Sequence, residues 1–202
     1  MKRLFFTIII FLISNSLHAL ELKGTFNQGN LIIGKTEPGS KVIIDNNKVK
    51  VSNNGFFAFG LSKNRKNDVL IEVTKNNISK KIVKKVYKKK YQIQKINGLP
   101  KNQVTPPKEV YERIKKDNKL IADSRSVDSN LNFFFNEFKL PINNSIITGV
   151  YGSQRILNGI PKSPHYGLDF AAKEGTNIKA MLDGVVPLSE KNMYYTGGTV
   201  VF

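Results

Sequence analysis

The sequence predicts a mainly β protein. It has a small N-terminal antiparallel sandwich of immunoglobulin-like type, a linker with one helix, and a second, glycine-rich β segment. Three observations carry this. Short β-branched runs alternate with Asn, Gly and Pro turn signals from Leu22 to Ile96. Between Lys108 and Asp123 the apolar residues Val110, Ile114 and Ile121 fall at spacings of four and seven, a helical stripe. After Asn143, glycines and β-branched pairs return. A 202-residue chain with 40% hydrophobic residues can bury a core, which excludes collagen-like, coiled-coil and wholly disordered architectures.

The first nineteen residues read as an address. Met1-Lys2-Arg3 is a positive start, Leu4 to Ile13 is an apolar run, and Ser14 to Ala19 is a polar, small-residue end. This is the layout of a secretory signal peptide cleaved after Ala19. The apolar run falls short of the roughly 20 residues that span a bilayer. Export to the periplasm or cell envelope is therefore expected. Export removes intracellular nucleic acid as a partner for a chain with a net charge of +17. With no cysteine, disulfides, a thiolate nucleophile and a cysteine-based zinc site are all excluded.

Residues 20–97 form the expected basic β module. Leu31 to Gly34 is a strand ending before the turn Glu37-Pro38-Gly39-Ser40. Lys41 to Asp45, Asn46-Asn47 and Lys48 to Val51 make a hairpin, and Ser52 to Gly55 turns into Phe56 to Phe59. Val69 to Val73, Asn76-Asn77 and Ile78 to Tyr87 make another hairpin. Lys80, Lys81, Lys84, Lys85, Lys88, Lys89 and Lys90 are the densest charge run. They suit a solvated strand edge that resists aggregation, or docking to anionic envelope polymers. Residues 98–140 are the linker, with Thr105 expected to cap a helix whose first residue is Pro106. The apolar stripe of that helix is thin, so it should dock as a connector. The aromatic stretch Leu131 to Phe138 follows.

Residues 141–202 carry the chemistry. Gly149-Val150-Tyr151-Gly152-Ser153-Gln154-Arg155 is followed by Asn158-Gly159 and Pro164-His165-Tyr166-Gly167-Leu168-Asp169. His165 and Asp169 are four apart, an even spacing that aligns both side chains on one face of a strand. An imidazole and a carboxylate converging there make half of a zinc site. Alone, His-x-x-x-Asp also fits a histidine paired with a structural aspartate. Arg155 suits a substrate contact or a structural ion pair, and Tyr194 and Tyr195 suit a groove wall or a core. Gly152, Gly167, Gly197 and Gly198 suit tight turns and close backbone approach.

These motifs, continued by Gly175-Thr176, Gly184-Val185-Val186 and Gly197-Gly198-Thr199-Val200-Val201, stand in one order. In that order the chain from about Asn143 to Phe202 resembles the lysostaphin-type (LytM-like) zinc metalloendopeptidases, which cleave peptide cross-links in bacterial cell wall. The resemblance implies one zinc held by His165 and Asp169, with peptidoglycan as substrate. A third ligand and a proton-transfer histidine would come from a later His-x-His motif. No histidine follows His165 here. The chain stops at Phe202 inside an apolar strand, so the sequence reads as an incomplete, truncated peptidase domain, inactive alone. Two alternatives stand beside it: a non-catalytic envelope protein that binds wall or activates another hydrolase, and a cationic adhesin-like β module.

Overall fold

A computed structural model describes residues 20–202. The expected signal segment, Met1–Ala19, lies outside the described residues. The protein is mainly β, with several small and mostly antiparallel sheets and one long helix. No described helix is long and apolar enough to cross a membrane.

The N-terminal part holds seven strands in two sheets. One sheet is ordered β1 (Glu21–Lys23), β2 (Leu31–Lys35), β5 (Phe56–Gly60). The other is ordered β4 (Asn47–Val49), β3 (Lys41–Ile44), β6 (Val69–Lys75), β7 (Ile78–Lys84). Both bury alternate residues, as period-two strands must when one face meets a core. Ile32, Phe57 and Phe59 of the first sheet share that core with Val42, Ile44, Val69, Ile71 and Val73 of the second. Leu61 closes it.

The hairpins follow from turn chemistry. Asn76 and Asn77 both have positive φ (49° and 62°), the backbone that a two-residue turn between twisted strands requires. The β3–β4 turn uses Asp45 and Asn46 (φ 47° and 68°), one residue earlier than the expected Asn46-Asn47. Asp45 fixes that choice. Its carboxylate accepts hydrogen bonds from Arg65 at 2.6 Å and from the Leu70 amide at 3.0 Å. The Arg65 hydrogen bond, seconded by the Leu70 amide, outweighs burial and holds the Asp45 carboxyl below its ordinary range. A depressed folded value stabilises the fold above the unfolded pKa of about 3.9, and this is lost as pH falls through the folded value. Urea midpoints measured below about pH 4 should therefore fall less steeply with acid in Asp45→Asn than in the parent.

The linker helix begins later than expected. Thr105 ends a single turn, α1 (Lys101–Val104), rather than capping the next helix. A 3₁₀ turn over Lys108–Val110 leads into α2 (Tyr111–Arg125), which has no side-chain cap. The Pro107 ring disfavours helical backbone at Pro106, which accounts for the later start. Helix α2 buries no residue fully. It docks on the hairpin of β13 (Leu188–Met193) and β14 (Gly197–Val201). Asp117 accepts the Tyr194 amide at 2.8 Å, and Arg113 donates to the Asn192 carbonyl at 2.7 Å. In the aromatic stretch, Phe135 stacks on Phe56 of β5 with ring centres 4.3 Å apart.

The C-terminal part places three more small sheets. β12 (Asp169–Ala171) pairs with β9 (Ile146–Gly149), and β13 pairs with β14. β10 (Gln154–Leu157) pairs antiparallel with β11 (Ile160–Pro161) and parallel with β8 (Ile93–Ile96). This part buries little. Outside the sandwich core, Val104 and Met193 are the only apolar side chains fully buried among the described residues.

Candidate metal centre

Backbone geometry brings His165 to Asp169. Asp169 opens β12, but His165 is not on a strand, contrary to the even-spacing expectation. Pro164 precedes it and the chain bends at Gly167. Two hydrogen bonds hold His165 instead. Its amide donates to the Ser153 carbonyl at 2.8 Å, and its carbonyl accepts from the Gly152 amide at 2.6 Å. These fix its backbone beside β10, and the bend then returns the chain to Asp169.

The side chains converge. His165 Nε2 lies 3.0 Å from Asp169 Oδ1. Two atoms each about 2.0–2.2 Å from one tetrahedral zinc lie about 3.3 Å apart, so the observed separation is near that of neighbouring ligands. Nε2 is shielded from solvent and has no hydrogen-bond partner. Its contact with Asp169 Oδ1 is that of an ion pair when the imidazole is protonated, without hydrogen-bond geometry. A buried polar nitrogen without a partner is costly unless something else occupies its lone pair. The donor set of one imidazole nitrogen and one carboxylate oxygen fits zinc. Among the described residues no third His, Cys, Asp or Glu joins them.

Asp169 is supported from two sides. Its Oδ2 accepts from Arg155 at 2.8 Å, so Arg155 forms an ion pair with the candidate ligand. That contact orients the carboxylate and leaves Oδ1 facing His165, as a partner behind a metal ligand does. The other support is Gly149, opposite Asp169 across the β9–β12 pair. A Cβ there would collide with the Asp169 carboxylate. Gly149→Ala should therefore displace Asp169 and weaken zinc binding about tenfold, measured by competition with a chromogenic chelator. An unchanged affinity would remove Gly149 from the site.

Two contributors, Tyr91 and Gln94, were not placed at this site from sequence. Tyr91 sits against two positive-φ glycines, Gly29 (81°) and Gly152 (88°), where an added Cβ would strike its hydroxyl or ring. Its hydroxyl donates to the Gln28 carbonyl at 2.8 Å. Burial, with a smaller contribution from Tyr151, raises the Tyr91 phenol above its usual pKa. Gln94 of β8 reaches Arg155 Nε at 3.5 Å and the Thr148 carbonyl at 3.2 Å. The stretch 91–96 thus ties the sandwich to β10. Nothing in its sequence names a parallel partner some sixty residues away.

Of the remaining expected residues, Tyr194 and Tyr195 lie at the β13–β14 turn, packed on each other at 5.0 Å. Arg113 lies over the Tyr194 ring at 5.8 Å, so this pair forms part of the helix docking. Gly197 takes positive φ (62°) in that turn, as Gly152 does beside Tyr91, whereas Gly167 and Gly198 do not. A hollow of about 500 Å³ between Leu131, Phe133, Phe134, Val185 and Phe202 includes neither His165 nor Asp169. No protein-family model and no curated protein matches the chain.

Proposed function

We propose that this chain carries part of a zinc metalloendopeptidase of the bacterial cell envelope, acting on peptidoglycan peptide cross-links. The observation that carries this reading is the shielded Nε2 of His165, held 3.0 Å from Asp169 Oδ1 without hydrogen-bond geometry. His165 and Asp169 are the two zinc ligands in this reading, and Arg155 positions Asp169. Zinc, when bound, would polarise a peptide carbonyl and lower the pKa of water to about 7. The chain itself supplies two ligands and no histidine for proton transfer, because His165 is the last of two histidines. The ordered motifs from Gly149 to Val201 support the lysostaphin-type family, and the seven-strand, two-sheet N-terminal part supports an immunoglobulin-like module. Export to the periplasm belongs to the same reading.

A protein of residues 20–202, incubated with cell-wall sacculi and zinc, should release no peptides. Zinc-dependent release abolished by His165→Ala would show that this chain holds a complete catalytic set. The alternative is a non-catalytic wall-binding or hydrolase-activating protein, against which the retained His165 and Asp169 count. Zinc-independent sedimentation with sacculi, together with stimulation of a partner amidase, would support it.

A further inference from the structure

The outer face of the four-stranded sheet has a composition that the peptidase reading does not use. Register places Lys48, Ile43, Glu72 and Lys81 in one row across β4, β3, β6 and β7, on the side away from the core. Leu70 and Val83 form the next row. Glu72 is the acid of the first row, where Lys81 reaches it at 3.4 Å, and Asp45 stands at the end of the second beside Leu70. β7 is an edge strand, and the chain beyond it adds Lys85, Lys88, Lys89 and Lys90, all exposed.

This lysine segment is held on a fixed backbone. The Val86 amide donates to Asp68 at 3.0 Å, the Tyr87 amide to the Phe26 carbonyl at 2.8 Å, and the Lys89 amide to Gln28 at 3.1 Å. Beside the lysines, Val83 on this outer face is left in water at 65% exposure, and so is Tyr87 just beyond the strand at 56%. A solvated edge needs the lysines but gains nothing from exposing these.

We propose that this face seats on an anionic phospholipid surface. A soluble polyanion would be satisfied by the charges alone. Val83 and Tyr87 gain only where an apolar phase lies beneath the charged layer, with lysine stems reaching up to the headgroups and Tyr87 at the boundary. The cations are lysines throughout, which act as point charges. They suit a diffuse negative surface better than a single phosphate in a fixed geometry.

Vesicle sedimentation tests this. Every protein compared begins at Leu20, so that the apolar run Leu4–Ile13 cannot itself insert. Partitioning onto vesicles of phosphatidylglycerol with phosphatidylcholine should exceed that onto phosphatidylcholine alone by about tenfold at low salt, and decline as salt rises. Replacing Lys85, Lys88, Lys89 and Lys90 by Gln should erase that preference. Val83→Ser with Tyr87→Ser should lower vesicle binding about threefold while leaving binding to inorganic polyphosphate unchanged. These positions are exposed, so thermal unfolding should match the parent in both variants. Equal partitioning onto both vesicle types would overturn the proposal. So would vesicle binding indifferent to Val83 and Tyr87, which would mark the face as a site for soluble polyanions.

Discussion

Phe57→Ala should remove about 3–5 kcal/mol from the stability of the N-terminal sandwich, as for a fully buried aromatic ring deleted from a packed core. The ring is wholly inaccessible and packs beside Phe59 with centres 6.3 Å apart. It also lies over Gly34, directly opposite on β2, where any Cβ would collide with it. Glycine at 34 and phenylalanine at 57 are therefore one packing unit, and Gly34 offers no side chain to fill the cavity left by alanine. Small domains are stable by only about 5–15 kcal/mol, so the loss is a large share of the total. Urea denaturation followed by tyrosine fluorescence reads it as a lower midpoint. A shift equivalent to less than about 1 kcal/mol would mean that the two sheets do not share this core.

The second large effect concerns the metal. Zinc added to residues 20–202 should bind weakly, because two protein ligands leave the remaining positions to water. Asp169→Ala should weaken it by at least about tenfold, and His165→Ala should abolish it at the same concentrations. Arg155→Gln should weaken it less than either, since Arg155 touches Oδ2 and not the converging atoms.

Much of the sandwich was legible because local chemistry decided it. Asn76-Asn77 between two apolar runs names a turn, and alternation in Val69 to Val73 names a strand with one face buried. Where two local signals competed, the sequence was ambiguous. Asn46-Asn47 and Asp45-Asn46 are both good turn pairs, and only the contacts of Asp45 with Arg65 and Leu70 choose between them. The helix start failed for a purely local reason, the consecutive prolines at 106 and 107. The parallel pairing of β8 with β10 and the seating of Tyr91 against Gly152 depend on residues far apart in the chain. No pattern in either segment encodes the other. At the candidate site, residue types and spacing pointed to His165 and Asp169, while the roles of Gly149 and Gln94 needed coordinates.

The central claim, that His165 and Asp169 form half of a zinc site, is best tested on the imidazole itself. In a protein beginning at Leu20, His165 is the only histidine, so one pair of imidazole nitrogen signals reports on it without ambiguity. Titration with zinc, followed by nitrogen-15 NMR of that ring, should move the Nε2 resonance to a saturating value. The same titration of Asp169→Ala should need at least about tenfold more zinc. An Nε2 resonance that stays in place up to millimolar zinc, or one that moves equally in Asp169→Ala, would contradict the account.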